Sequence, residues 1–158
     1  MFKNKKNLMI IWILLVIAFV GFLVFITINN KNNSSWEDKK VDMQNIDGVK
    51  ITVLKEGEGD IAESGNMVAV AYTGMLENGT VFDSNTDPKF NHVEPFVFTL
   101  GAGQVIKGWD IGVAGMKVGE QRQLEIMPEF AYGENEIAGV IPANSKLTFT
   151  VELLAVKK

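Results

Sequence analysis

The sequence predicts an α+β domain, an antiparallel sheet wrapped around one short helix, preceded by a transmembrane helix. Three observations carry this. Leu8 to Ile28 is an uncharged run of 21 residues, interrupted only by Gly21 and Thr27. After Gly48 the patterned segments read almost throughout as strands. Within that part only Gln104 to Val113 has helical spacing, with Val105, Ile106, Trp109 and Val113 on one face. Gly108 and Gly112 make this segment a poor helix in isolation, at about 1 kcal/mol each against Ala. Such a helix must be held by packing.

The apolar run has the length needed to span about 30 Å of hydrocarbon. Lys3, Lys5 and Lys6 precede it, which places the N-terminus in the cytoplasm and the large domain on the far side. The alternative is secretion after signal cleavage. A signal would have an apolar region of about 7–15 residues and a small-x-small site, whereas this run ends Ile26-Thr27-Ile28-Asn29-Asn30. The expected layout is a basic N-terminus at 1–7, an anchor at 8–28, a polar linker at 29–44 and a folded domain at 45–158 that begins near Asp47-Gly48.

Val49 to Leu54 alternates as a strand, and Gly57 to Asp60 is a turn cluster. Met67 to Tyr72 is a second strand. Asn78-Gly79 marks a tight hairpin within Thr73 to Asp83. Asn85 to Glu94 is a polar loop holding Pro88 and His92. Phe96 to Leu100 is the next strand, followed by the helix. Gln121 to Ile126 reads as a strand with one wet face. Met127 to Pro142 is irregular. Lys146 to Leu154 is the cleanest strand, with Leu147, Phe149, Val151 and Leu153 facing inward.

Composition excludes much chemistry. The chain has no Cys and one His, so thiol nucleophiles, Ser-His pairs and multi-histidine metal sites are out. His92 is read as exposed and inert. Residues 1–35 hold four lysines and no acid, leaving 11 Lys and Arg against 19 Asp and Glu, a net −8. Such a domain is a poor nucleic-acid binder. The aromatic residues Tyr72, Phe82, Phe96, Phe98, Trp109, Tyr132 and Phe149 are spread over segments that should surround the helix. Each alone reads as core packing. Together they can line a concave apolar pocket.

Y-T-G-M-L-E-N-G-T-V-F-D-S at 72–84, V-I-K-G-W at 105–109, A-Y-G at 131–133 and V-I-P-A-N-S-K-L-T-F-T-V-E-L-L at 140–154 resemble the FKBP-type peptidyl-prolyl cis-trans isomerases. The resemblance covers about residues 48–156, with the motifs in the family's order. It implies a five- or six-stranded antiparallel sheet around one short helix. It also implies prolyl isomerase activity on unfolded or exported polypeptides, without cofactor or metal, and with macrolides of the rapamycin type as further ligands. A non-catalytic peptide-binding or holdase module on the same fold is the rival reading.

By the same resemblance Trp109 floors the pocket under the proline ring, and Tyr72, Phe82, Phe96, Val105, Ile106 and Phe149 wall it. The Ile106 backbone N–H and the Tyr132 hydroxyl bond peptide carbonyls. Asp83 sits at the pocket edge and orients Tyr72, and Ile137 and Ile141 add substrate contacts. Phe98 is assigned mainly to the core. Ile137-Ala138 stands where many relatives carry His-Pro, and the loop from Ser84 to Glu94 is longer than in the smallest relatives. The lipid bilayer is the expected partner of residues 8–28.

Overall fold

Seven strands and one α-helix make up residues 43–158, the part that the computed structural model describes. The strands are β1 (Met43–Ile46), β2 (Val49–Lys55), β3 (Met67–Leu76), β4 (Val81–Ser84), β5 (Phe96–Thr99), β6 (Gln121–Ile126) and β7 (Leu147–Lys157). The helix α1 is Lys107–Val113. Val41–Lys158 is a compact unit of its own. The expected basic N-terminus, membrane run and nearly all of the linker lie outside the described residues. Among the described residues no helix is long and apolar enough to cross a membrane.

All pairings are antiparallel, in the order β1-β2-β6-β7-β3-β4, with β5 also on β3. β7 therefore lies in the middle of the sheet, although it is last in the chain. Its alternation puts Leu147, Phe149, Val151 and Leu153 in the core. Val49, Ile51, Val68, Val70, Leu124 and Ile126 join them from the neighbouring strands.

The strand count exceeds the expected five or six because of β1. Asp47 and Gly48 both have positive φ, at 45° and 78°. They form the two-residue loop of a hairpin in which Ile46 pairs with Val49. An Asp-Gly pair suits such a loop, whose twist matches that of the strands. The sheet thus begins at Met43, inside the stretch expected to be linker.

β4 and β5 lie along one edge of β3, separated by residues 85–95. β4 pairs with Thr73–Met75 and β5 with Met67–Val70. The seam between them is closed by Asn85, which is buried. Its Oδ1 accepts the Tyr72 N–H at 2.7 Å, and its Nδ2 donates to the carbonyls of Val70 and Glu94 at 3.0 Å each. A side-chain amide here takes the place of a missing peptide in the ladder and satisfies backbone groups that would otherwise be orphaned.

α1 starts three residues later than its spacing predicts. Ile106 precedes it with ψ 147°, an extended conformation. Its glycines face the sheet. A Cβ at Gly108 would lie 2.5 Å from Ile126 Cγ2, and one at Gly112 would lie 2.6 Å from Leu124 Cδ1. The residues that weaken the helix on propensity are those that let it rest on β6. Arg122, on the inward face of β6, closes the other end of the helix. Its guanidinium donates to the carbonyls of Gly112 and Ala114 at 2.9 and 3.0 Å, which satisfies last-turn acceptors. It also pairs with buried Glu120 at 2.6 Å.

Candidate active site

A cavity of about 260 Å³ opens between α1, β3–β5 and the loop after β6, lined by Tyr72, Phe82, Asp83, Phe96, Gln104, Val105, Ile106, Trp109, Tyr132 and Phe149. Two larger but more open grooves, on the other side of the β3–β4 hairpin, hold no aromatic residue. Nine of the eleven residues expected at the site thus meet around one cavity.

Trp109 is nearly buried at its base. Tyr72, Phe96 and Phe149 stand almost perpendicular to the indole, at centroid distances of 5.2, 5.9 and 5.3 Å. Edge-to-face rings attract through their quadrupoles and hold one another's orientation. Phe82 stands edge-on to Phe149 at 5.6 Å. Gly74 makes room for this pair, because a Cβ there would lie 2.6 Å from Phe82 Cζ and 2.8 Å from Phe149 Cε1. Phe98 is 3% exposed and packs under Phe96 and Trp109, as core.

The polar groups lie at the rim. Tyr72 donates its hydroxyl to Asp83 Oδ2 at 2.6 Å. Burial, and then the Asp83 hydrogen bond, hold that phenol well above its ordinary range. Burial also raises Tyr132, with the Asp83 charge adding to it. Both hydroxyls therefore stay protonated near neutrality and act as donors. Among the described residues the Tyr132 hydroxyl and the Ile106 N–H have no hydrogen-bond partner. Gln104, absent from the expected set, spends its Oε1 on the Thr99 N–H at 2.8 Å, holding β5 to the segment entering α1. Asp110 does similar work, accepting from the N–H groups of Gly101 and Gly103.

A profile of the family described as FKBP-type peptidyl-prolyl cis-trans isomerase matches residues 59–154. The chain belongs to the FKBP-type peptidyl-prolyl isomerases. It is 54% identical over 110 residues to FK506-binding protein 1 of Dictyostelium discoideum, which covers 70% of this chain and 99% of that protein. FK506-binding protein 1A of Neurospora crassa is 48% identical over 113 residues, covering 71% of this chain and 91% of the relative. FK506-binding protein 4 of Aspergillus fumigatus is 52% identical over 115 residues, 73% of this chain but 22% of that longer protein. The folded domain is a peptidyl-prolyl cis-trans isomerase, on the FKBP-like sheet and single helix.

Two expected substrate contacts fall outside the lining of the isomerase cavity. Ile141 is 4% exposed and belongs to the core. Ile137 is 39% exposed and bridges Ile141 through paired backbone hydrogen bonds of 2.8 and 2.9 Å. His92 is exposed, as expected, and its Nε2 lies 2.8 Å from Asp83 Oδ1. Gly74 and Asn85 were also missed. The Gly in Y-T-G-M-L reads only as a weak strand residue, and Asn85 only as loop composition.

Proposed function

We propose that this isomerase accelerates X-Pro rotation in unfolded or newly exported polypeptides by holding the twisted peptide over Trp109. The uncatalysed barrier is about 18–20 kcal/mol and comes from amide resonance. Twisting breaks that resonance and pyramidalises the proline nitrogen. Water favours the planar, charge-separated form. An apolar aromatic pocket withdraws that advantage from the ground state and fits the twisted one, which is differential binding. No nucleophile or general base is required. The unpartnered Tyr132 hydroxyl and Ile106 N–H are the donors for the carbonyls flanking the proline.

The observation that carries this reading is the aromatic cavity closed below by Trp109, with the unpartnered Tyr132 hydroxyl and Ile106 N–H beside it. The test is cis-to-trans exchange of an X-Pro peptide with the full chain in mild detergent. Tyr132→Phe removes one hydrogen bond and should cost about tenfold in kcat/KM. Trp109→Leu removes the floor and should cost at least as much. Wild-type activity unchanged in both variants would refute the pocket as the site of rotation.

The anchor at residues 8–28, with the domain on the far side of the membrane, belongs to the same proposal and rests on the apolar run and the preceding lysines. Alkaline carbonate extraction of membranes tests it, and release of an intact chain would sink it. The names of the relatives support an FK506-type macrolide as a ligand of the same cavity, and the sequence resemblance extends this to the rapamycin type. Competition between such a macrolide and an X-Pro peptide is the measurement.

A further inference from the structure

We propose that His92 is a positioning residue of this isomerase, holding the Asp83 carboxylate in the orientation that receives the Tyr72 hydroxyl. The proposal rests on the reading of the cavity as the site of rotation. A carboxylate only accepts hydrogen bonds, so the His92 Nε2 facing Asp83 Oδ1 at 2.8 Å must carry the hydrogen. Oδ1 also accepts the Ser84 N–H at 2.9 Å, and Oδ2 takes the Tyr72 hydroxyl at 2.6 Å. Both oxygens are thus engaged, and the chain of contacts runs from an exposed loop to the Tyr72 ring against Trp109. Without the imidazole, Asp83 keeps one backbone donor and, about one-third exposed, can turn toward water. Tyr72 would then lose the acceptor that fixes its ring as a pocket wall.

The placement of His92 is built into the loop. Immediately before it, Asn91 adopts a left-handed conformation, φ 59°, and closes the 3-10 turn Pro88–Phe90. Two residues after it, the Glu94 carbonyl is tied to Asn85. The other charges on the loop do not compete for it. Lys89 pairs with Asp87 at 3.0 Å, and Glu94 repels rather than replaces a carboxylate partner. From the elements packed nearby, Asp83 on β4 faces the imidazole, backed by the neutral phenols of Tyr72 and Tyr132.

The experiment measures kcat and KM for an X-Pro peptide between pH 5.5 and 8 with the full chain in detergent, as wild type, His92→Ala and His92→Gln. His92→Ala is expected to lose about three- to fivefold in kcat/KM, the size of one half-exposed hydrogen bond. His92→Gln, which keeps a side-chain N–H donor, should recover much of it. The chain has one histidine, so its ¹⁵N imidazole signals are unambiguous and should show the Nε2–H form at pH 8. Activity of His92→Ala equal to wild type with the same pH profile overturns the proposal, as does an Nδ1–H imidazole at pH 8. Failure of wild type itself to accelerate exchange would instead bring down the underlying reading of the cavity, and this one with it.

Discussion

Gly108→Ala sets two effects of opposite sign against each other. Helix propensity favours Ala by about 0.8–1.0 kcal/mol. Packing opposes it. The new Cβ would lie 2.5, 2.7 and 2.9 Å from three carbons of the Ile126 side chain, where ordinary carbon contacts are about 3.5–4.0 Å. Ile126 is fully buried, and three of its side-chain carbons crowd the added Cβ at once. The helix must therefore lift from β6 by about 1 Å, forfeiting much of the dispersion along its contact face. Overpacking of this kind costs about 1–3 kcal/mol, so the net is a loss of about 1 kcal/mol, and the melting temperature falls by about 4 °C or more. In the Val41–Lys158 unit Trp109 is the only tryptophan, so its fluorescence reports the helix itself during urea unfolding. A cycle with Ile126→Ala isolates the clash, because that truncation should cost about 2 kcal/mol less in the Gly108→Ala background than with the glycine retained. A higher melting point for Gly108→Ala, or an additive cycle, would refute the reasoning and leave propensity as the dominant effect.

Gly74→Ala is expected to displace Phe82 or Phe149 and lower kcat/KM about tenfold or more, with unchanged activity as the contrary result. Asn85→Leu leaves the Tyr72 N–H and the Val70 carbonyl without partners and should cost about 2–4 kcal/mol in urea unfolding, with faster amide exchange across residues 85–95. Arg122→Ala strands Glu120 and uncovers the end of α1, for a loss of about 3 kcal/mol by the same assay. Hydrogen bonds from Lys146 and then Lys50 lower the carboxyl of Glu125 in the folded state. Its stabilisation is therefore complete above the ordinary carboxylate range and disappears as pH falls through the lowered value. Glu125→Gln should flatten the acid limb of a melting-temperature profile by less than about 1 kcal/mol, since the lysines are half in water.

Much of this was legible because period-two alternation and family motifs carry the same information twice. The inward face of β7 could be read directly, and most of the aromatic set sits on segments with a clear period, while Tyr132, in the irregular stretch after β6, came with the A-Y-G motif. What escaped had weaker local signals. Asp47-Gly48 is a strong hairpin signal, yet the strand before it, Met43–Ile46, is fully exposed and shows no apolar face. Gly108 and Gly112 announce their cost locally, while their use depends on Ile126 and Leu124 in a distant strand. His92 offers nothing in a sequence window, because only the fold of the irregular loop after β4 brings it to Asp83. Ile137 and Ile141 enter the expected set by resemblance alone, and neither lines the cavity.

The position of β7 has a consequence for how the chain comes to be folded. Remove residues 147–157 and the sheet separates into two pieces, β1-β2-β6 and β3 with β4 and β5, which no strand pairing joins. The strand that unites them is synthesised after all the others. A ribosome therefore releases nearly the whole domain before its sheet can close. Until then the aromatic side chains that later surround Trp109 have no shared cavity, and the pairing that brings them together is long-range and correspondingly slow to form.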